Sequence, residues 1–267
     1  MLTISPITSY NTSNIKNTNR VFSKNISYTP SFGAAEIEDE NYSSPVGQFL
    51  LRIKVRKDAN KLIEKADDIY RLSQIDQQSA QNIVDGKVKS IINELKAPTG
   101  KIVQKNGKNY YVESKNGKLS NVTSFSSYGG DCVVEQVSVY NDDSTRDVFI
   151  TDSNNEVIFI RKGVKQIGPN SYLEERAISC SNGQIELYYD NASRVNDGVA
   201  KAKSETKHNL CKFENGLLVG FAPKATYTGN DLYYDKYYFF DNDNLKKYMQ
   251  NVPVQRGVMC PEIELDF

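Results

Sequence analysis

Four Asn-Gly dipeptides, at 106–107, 116–117, 182–183 and 215–216, restrict the fold more than any other feature of this chain. Short segments of alternating apolar and polar residues flank them, among them Asn109–Glu113, Ile178–Cys180, Ile185–Tyr189, Cys211–Phe213 and Leu217–Phe221. Asn-Gly supplies positive φ at both centres of a type I′ turn, whose twist matches two paired strands. Val148–Thr151 and Val157–Ile160 flank a further turn at 152–155, and Leu232–Phe240 leads into another at 241–244. Turns near 116, 154, 182, 215 and 243 recur at intervals of 38, 28, 33 and 28 residues. That spacing predicts a large antiparallel β-meander of about ten strands over 100–267, as an open sheet, a sandwich or a half-barrel. Val133–Tyr140 alternates, so Val133, Glu135, Val137 and Val139 are expected on one face and Val134, Gln136, Ser138 and Tyr140 on the other. A short helix is expected over Leu245–Gln250, stopped by Pro253.

Before the strands comes the only long helical pattern. Ser43 or Ser44 offers an N-cap, and Pro45 suits the first helical position because its missing N–H costs nothing there. Val46, Phe49, Leu50 and Ile53 follow at i, i+3, i+4 and i+7, and Leu62, Ile63, Ala66, Ile69 and Tyr70 renew the stripe. A second stripe runs from Ala80 through Ile83, Val84, Val88, Ile91 and Ile92 to Leu95, ended by Pro98 and Gly100. The polar stretch Ser73–Ser79 is expected to break the pattern, giving a helical hairpin over 41–99. Helices ahead of a run of strands predict an α+β class, with an N-terminal amphipathic helical hairpin packed on the meander.

Residues 1–40 read as a disordered tail. Of the first 32, 16 are Ser, Thr or Asn, and the isolated apolar residues there bury too little surface to offset the entropy of ordering. The tail has no basic n-region followed by an apolar h-region, so a cytoplasmic chain is expected, with export by a route other than general secretion as the alternative. No window of the chain is apolar for long enough to span a membrane. The 33 basic and 33 acidic side chains cancel overall, which removes any global attraction to nucleic acid, but the segments differ. Residues 1–35 carry +3, 36–100 carry −1, 101–125 carry +4 and 126–267 carry −6. The basic cluster Arg52, Lys54, Arg56, Lys57 reads as a solvated helix face, because Asp58, Glu64, Asp67 and Asp68 follow closely and dilute any attraction to a membrane surface. Lys101, Lys105, Lys108, Lys115 and Lys118 read as the protected edge of a hairpin.

Catalytic constellations are sparse. Cysteines 132, 180, 211 and 260 form no CxxC pair and read as small core residues, and a single histidine excludes any multi-histidine metal site. Asp131-Cys132 resembles the Asp-Cys start of papain-like cell-wall peptidases, which would imply a Cys132 nucleophile with His208 as base and Asp231 or Asn230 as its orienter. Those enzymes continue Ser-Gly into a helix, whereas Val133–Val137 reads here as a strand. Asp152, Asn154 and Glu156 have calcium-ligand spacing, but Val157 stands where a sharp-turn glycine is needed. Glu174 and Glu175 are strand neighbours, so they point to opposite faces and make a poor acid/base pair. No cofactor or metal is implied.

The aromatic residues carry the remaining functional signal. Tyr110-Tyr111, Tyr188-Tyr189, Tyr233-Tyr234 and Tyr237-Tyr238 each place one ring on each face of a strand. Strand 232–240 is aromatic on both faces, which makes Tyr233, Tyr234, Tyr237, Tyr238, Phe239 and Phe240 the candidate binding residues. The expectation is a non-enzymatic interaction or scaffold protein that uses a Tyr-rich sheet face or edge to bind another protein. A long antiparallel sheet around helices is also similar to the half-barrels of periplasmic lipoprotein carriers. That resemblance implies an apolar small-molecule cargo along the same strand. A cysteine-dependent hydrolase ranks third.

Overall fold

A computed structural model describes residues 44–254, apart from 129–130, 169–170, 196–206, 229–230 and 242. The expected tail over 1–40 and Cys260 lie outside the described residues. One helix, α1 (Pro45–Lys96), is followed by twelve strands: β1 (Ile102–Lys105), β2 (Lys108–Lys115), β3 (Lys118–Tyr128), β4 (Asp131–Tyr140), β5 (Arg146–Thr151), β6 (Val157–Gly168), β7 (Ser171–Ser181), β8 (Gln184–Val195), β9 (Lys207–Glu214), β10 (Leu217–Thr228), β11 (Asp231–Asp241) and β12 (Asn244–Val254). They form one antiparallel sheet whose spatial order is the sequence order, an open meander with β1 and β12 at its edges. The class is α+β. All four Asn-Gly turns have positive φ at both residues, from 49° to 54° at Asn and 71° to 78° at Gly, as a type I′ turn requires.

The expected helical hairpin is instead a single helix of 52 residues. Ser44 caps it, its Oγ accepting the Gly47 N–H at 3.1 Å, with Pro45 at the first position. Ser73–Ser79 stays helical because it contains neither Gly nor Pro and because the sheet holds it. Ser73 and Ala80 are fully buried, and the Asp76 carboxylate accepts from Arg176 on β7 (Nε to Oδ2, 2.8 Å; Nη2 to Oδ1, 3.3 Å). Tertiary contacts thus override a locally polar stretch.

The helix crosses the strands rather than running along them. Lys65 Nζ stands 5.8 Å from the Phe221 ring on β10, and Tyr70 meets Phe213 on β9 with ring centroids 5.0 Å apart. Further along, Asp76 holds β7, Gln81 bonds Asn155 and Val157 at the β5–β6 turn, and Lys87 pairs with Glu113 on β2. At its end the Glu94 carboxylate accepts the N–H groups of Thr99 (2.6 Å) and Lys101 (3.0 Å) and the Thr99 hydroxyl (2.7 Å). From Lys65 to Glu94 is about 44 Å of helix, and from β10 to β1 is about 43 Å of sheet at the spacing of neighbouring strands. The two lengths match. The closest approaches are to the even-numbered strands β4, β6, β8, β10 and β12. Ala59, Ala66, Ser73 and Ala80, all fully buried, recur every seven residues. Seven residues advance a helix by about 10.5 Å, close to the roughly 9.6 Å of two strand spacings.

Under the helix lies an unbroken rib of side chains, one from each strand. In order of pairing it is Ile102, Tyr111, Thr123, Val137, Phe149, Ile160, Ile178, Tyr188, Cys211, Phe221, Tyr238 and Tyr248. Apart from Thr123, every member belongs to the apolar core or packs against it.

Two expectations fail at β-bulges, where one extra residue resets the alternation. In β4, Ser124 pairs with Gln136 and Phe125 with Val134, leaving Glu135 as the extra residue. Val134 and Val137 therefore share the core face, and Val137 does not share a face with Val133. In β12, Phe239 pairs with Lys247 and Phe240 with Leu245, so Lys246 is extra. Leu245 and Tyr248 then face the core together at a spacing of three, which imitates a helix; the expected helix over Leu245–Gln250 is the twelfth strand. Among the described residues no helix is long and apolar enough to cross a membrane.

Candidate functional site

The catalytic candidates do not assemble. Cys132 lies on β4, His208 on β9 and Asp231 on β11. Four strands separate β4 from β9, about 24 Å at the ordinary strand spacing. Cys132 is buried in the core, where burial raises its thiol pKa and disfavours the thiolate a nucleophile needs. Cys180 and Cys211 are also buried and free, and burial pushes the Cys180 thiol up to about 12. All three behave as core residues.

The other polar candidates have structural partners. Asp152 Oδ1 accepts the N–H groups of Asn154 (2.8 Å) and Glu156 (2.9 Å), so it serves the turn. Glu174 is buried and accepts from Arg161 Nε at 2.7 Å, whereas Glu175 is exposed and pairs with Arg176 at 2.6 Å. The two carboxylates belong to different surroundings. Lys108 reaches Glu135 at 3.0 Å beside the short edge strand β1.

The aromatic candidates divide by face as the doublets predict. Tyr238 and Phe240 are buried beneath the helix, as are Tyr111 and Tyr188. Tyr237 and Phe239 alternate with them and face the other way. Tyr233 and Tyr234 lie in β11, but their side chains fall outside the described residues. On the face away from the helix, a second unbroken row passes from Val103 and Tyr110 through Ile150, Phe159 and Leu187 to Lys212, Gly220, Phe239 and Lys247. Most of its members are half-buried.

This row ends in an aromatic platform. The Tyr237 and Phe239 rings stand 4.5 Å apart between centroids at a tilt of 44°, and Lys247 Nζ lies 5.8 Å from the Phe239 ring. Tyr237 lies over Gly220 of the neighbouring strand. A Cβ there would stand 2.2 Å from the phenol oxygen and 2.9 Å from Cζ, so only glycine leaves room for the ring. Burial pushes the Tyr237 phenol up to about 12, so it remains a neutral hydrogen-bonding group at physiological pH. Beside the platform runs β12, which pairs only with β11 among the described strands. Gly220 and Lys247 complete the site and escaped notice in the sequence. The signal for Gly220 was a glycine inside the alternating run Leu217–Phe221, a mark of close approach by another group. Comparison with known proteins finds no protein family, no curated protein and no solved structure that matches this chain.

Proposed function

We propose that this chain is a non-enzymatic interaction protein whose β10–β12 end, on the sheet face turned away from the helix, binds another macromolecule. The observation that supports it is the paired Tyr237 and Phe239 rings beside an edge strand, with Lys247 over the outer ring. Aromatic rings give a large contact area at little cost in side-chain entropy, and a strand edge offers N–H and C=O groups for strand addition. The alternative of an apolar carrier gains nothing from the geometry. On the helix-facing side of β11, where such a cargo would lie, Tyr238 and Phe240 are already packed in the core.

The test is affinity capture with the full chain against the double variant Phe239→Ala/Lys247→Glu. The native fold is checked by circular dichroism, since Phe239 is only half-buried. A specific partner should be retained by the wild type and lost by the variant. Equal retention by both would remove this face from the function.

A further inference from the structure

The four Asn-Gly turns are alike in backbone and unlike in what holds them shut. All four Asn side chains are exposed, and so are the glycines apart from Gly216, which is half-buried beside Tyr70. The turn at 182–183 is closed by Ser181 and Gln184, with the Cys180–Ile185 pair buried directly behind. The turn at 215–216 is closed by Glu214 and Leu217, with Phe213 and Leu218 buried behind. The other two have no such anchor. Lys105 faces Lys108 across the turn at 106–107, and behind them Gln104 is exposed and Asn109 half-buried. Lys115 faces Lys118 across the turn at 116–117, and behind them Ser114 and Leu119 are exposed. Like charges directly opposite each other on paired strands are destabilising. Among the described residues only one of these four lysines, Lys108, has an ion-pair partner, Glu135 at 3.0 Å.

We propose that Asn106 and Asn116 are sites of spontaneous deamidation, set apart from Asn182 and Asn215 by the hairpins that carry them. Glycine has no side chain to shield its amide nitrogen, so that nitrogen can attack the carboxamide of the preceding asparagine. The Gly amide gives its proton to hydroxide, and its nitrogen bonds to Asn Cγ. The Cγ–Nδ2 bond breaks, and Nδ2 leaves as ammonia. Water then adds to either carbonyl of the five-membered ring and opens it to aspartate or isoaspartate, so that a carboxamide and water become a carboxylate and ammonium. Ring closure needs the Gly nitrogen to eclipse Cβ, a rotation far from the ψ of about +30° that a type I′ turn holds. Each hairpin must therefore open at its tip before it reacts, and the rate follows the free energy of that opening. Buried pairs raise this free energy at 182 and 215, and facing lysines lower it at 106 and 116.

Asn155 shows the opposite arrangement. Its φ is also positive, at 64°, but Nδ2 donates to the Cys132 carbonyl at 3.0 Å and Oδ1 accepts the Val134 N–H at 2.7 Å. The residue after it is Glu156 rather than glycine. At Asn106 and Asn116 the new carboxylate lies between two lysines, so the product relieves the repulsion that favours opening. Isoaspartate routes the main chain through Cβ and adds an atom to the turn. At Asn106 this loosens β1, which pairs with β2 alone.

Peptide mapping of the full chain tests this, with native protein held in warm, mildly alkaline buffer beside a sample unfolded in guanidinium chloride. Cleavage after glutamate separates the sites, placing Asn106 in 95–113, Asn116 in 114–135 and Asn182 in 176–186, with Asn215 directly after Glu214. In the native chain Asn106 and Asn116 should gain the mass difference between amide and acid at least about tenfold faster than Asn182 and Asn215, equivalent to ~1.4 kcal/mol or more in opening. In denaturant the four rates should converge, since each site is then the same dipeptide in an open chain. Lys115→Glu sets opposite charges across the second turn and should slow Asn116 by about twofold or more without altering Asn106. The proposal is overturned by native rates that do not separate the two pairs of sites, by the same ranking in denaturant, or by a rate at Asn116 that Lys115→Glu leaves unchanged.

Discussion

The match between helix rise and strand spacing can be tested by changing the length of α1. Inserting one alanine between Ser73 and Gln74 turns everything before it by about 100° and shifts it by about 1.5 Å. The contacts from Asp76 to Glu94 hold the second half of the helix in place. In the first half, the sheet-facing positions of Val55, Ala59, Leu62, Ala66 and Ile69 would then be taken by Arg56, Asn60, Ile63, Asp67 and Tyr70. Setting Arg56 and Asp67 against an apolar rib is prohibitive, so this half must lift off. Val55 and Ile69 are buried, and Leu62, Ile63 and Tyr70 pack partly on the core. At ~1.5–3 kcal/mol for a fully buried aliphatic side chain and about half of that for a partly buried one, lifting off costs about 7 kcal/mol. That is comparable to the whole stability of an ordinary domain. Inserting a second copy of residues 67–73 after Ser73 is a larger change with a smaller expected effect. It turns the first half by only about 20° and advances it by about 10.5 Å, roughly two strands. Ala66 then takes the place of Ala59, Ser73 that of Ala66, Leu62 that of Val55 and Ile69 that of Leu62. The duplication should lose less than about 3 kcal/mol, its cost coming from repacking before position 67 and from the Lys65–Phe221 contact, since the second copy of Tyr70 keeps the original place against Phe213. Urea unfolding followed by circular dichroism ranks the two. If the single insertion is the better tolerated, the helix is not held in register by the strands, and the reasoning fails.

Two further expectations concern single residues of α1. Gly86 is exposed in the helix interior, and a Cβ there would meet nothing within 4 Å, so Gly86→Ala should stabilise by about 0.5–1 kcal/mol. Thermal unfolding should show this as a rise of roughly 1–4 °C. Glu94 should make stability depend on acid pH. Its hydrogen bond from the Thr99 side chain, with the N–H groups of Lys101 and Thr99, lowers its pKa below the usual glutamate value. A lowered folded-state pKa contributes stability above the unfolded-state value, and this is lost as pH falls through the folded one. Glu94→Gln should therefore melt lower than the wild type near neutrality, and the gap should close in acid. A gap that stays constant across that range would separate the effect from ionisation.

How much was legible in the sequence varies with the kind of signal. The Asn-Gly turns were readable because only a few residues accept positive φ, so the chemistry of two positions dictates the backbone. The division of the tyrosine doublets between faces followed from the period of a strand and holds for Tyr110-Tyr111, Tyr188-Tyr189 and Tyr237-Tyr238. Val133–Tyr140 and Leu245–Gln250 depart from their sequence patterns for one shared reason. A bulge leaves no mark in residue type at Glu135 or Lys246, yet it moves every following side chain to the other face. The helix was misjudged differently. Its first apolar stripe and the next are half a turn out of phase, and spacing within each stripe conceals the offset between them. The polar stretch Ser73–Ser79 looked like a break because the Arg176 that holds it is a hundred residues away. The platform was half legible. Their aromatic alternation marks Tyr237 and Phe239 in the sequence, but a partner such as Gly220 becomes visible only when strand pairing is known.

Because spatial order equals sequence order, synthesis and assembly run in the same direction. α1 is made first, with its sheet-facing stripe uncovered. Each strand then pairs with the one made just before it, and the growing sheet closes over the helix from Glu94 back toward Val55. At ordinary elongation rates of about 5–20 residues per second, the roughly 150 residues from β1 to β12 take about 8–30 s to appear. Val55 and Ala59 are the last of the stripe to be covered. A ribosome paused within the final hairpins would hold out a nascent chain whose exposed apolar surface is confined to the start of the helix, the stretch a chaperone would be expected to bind longest.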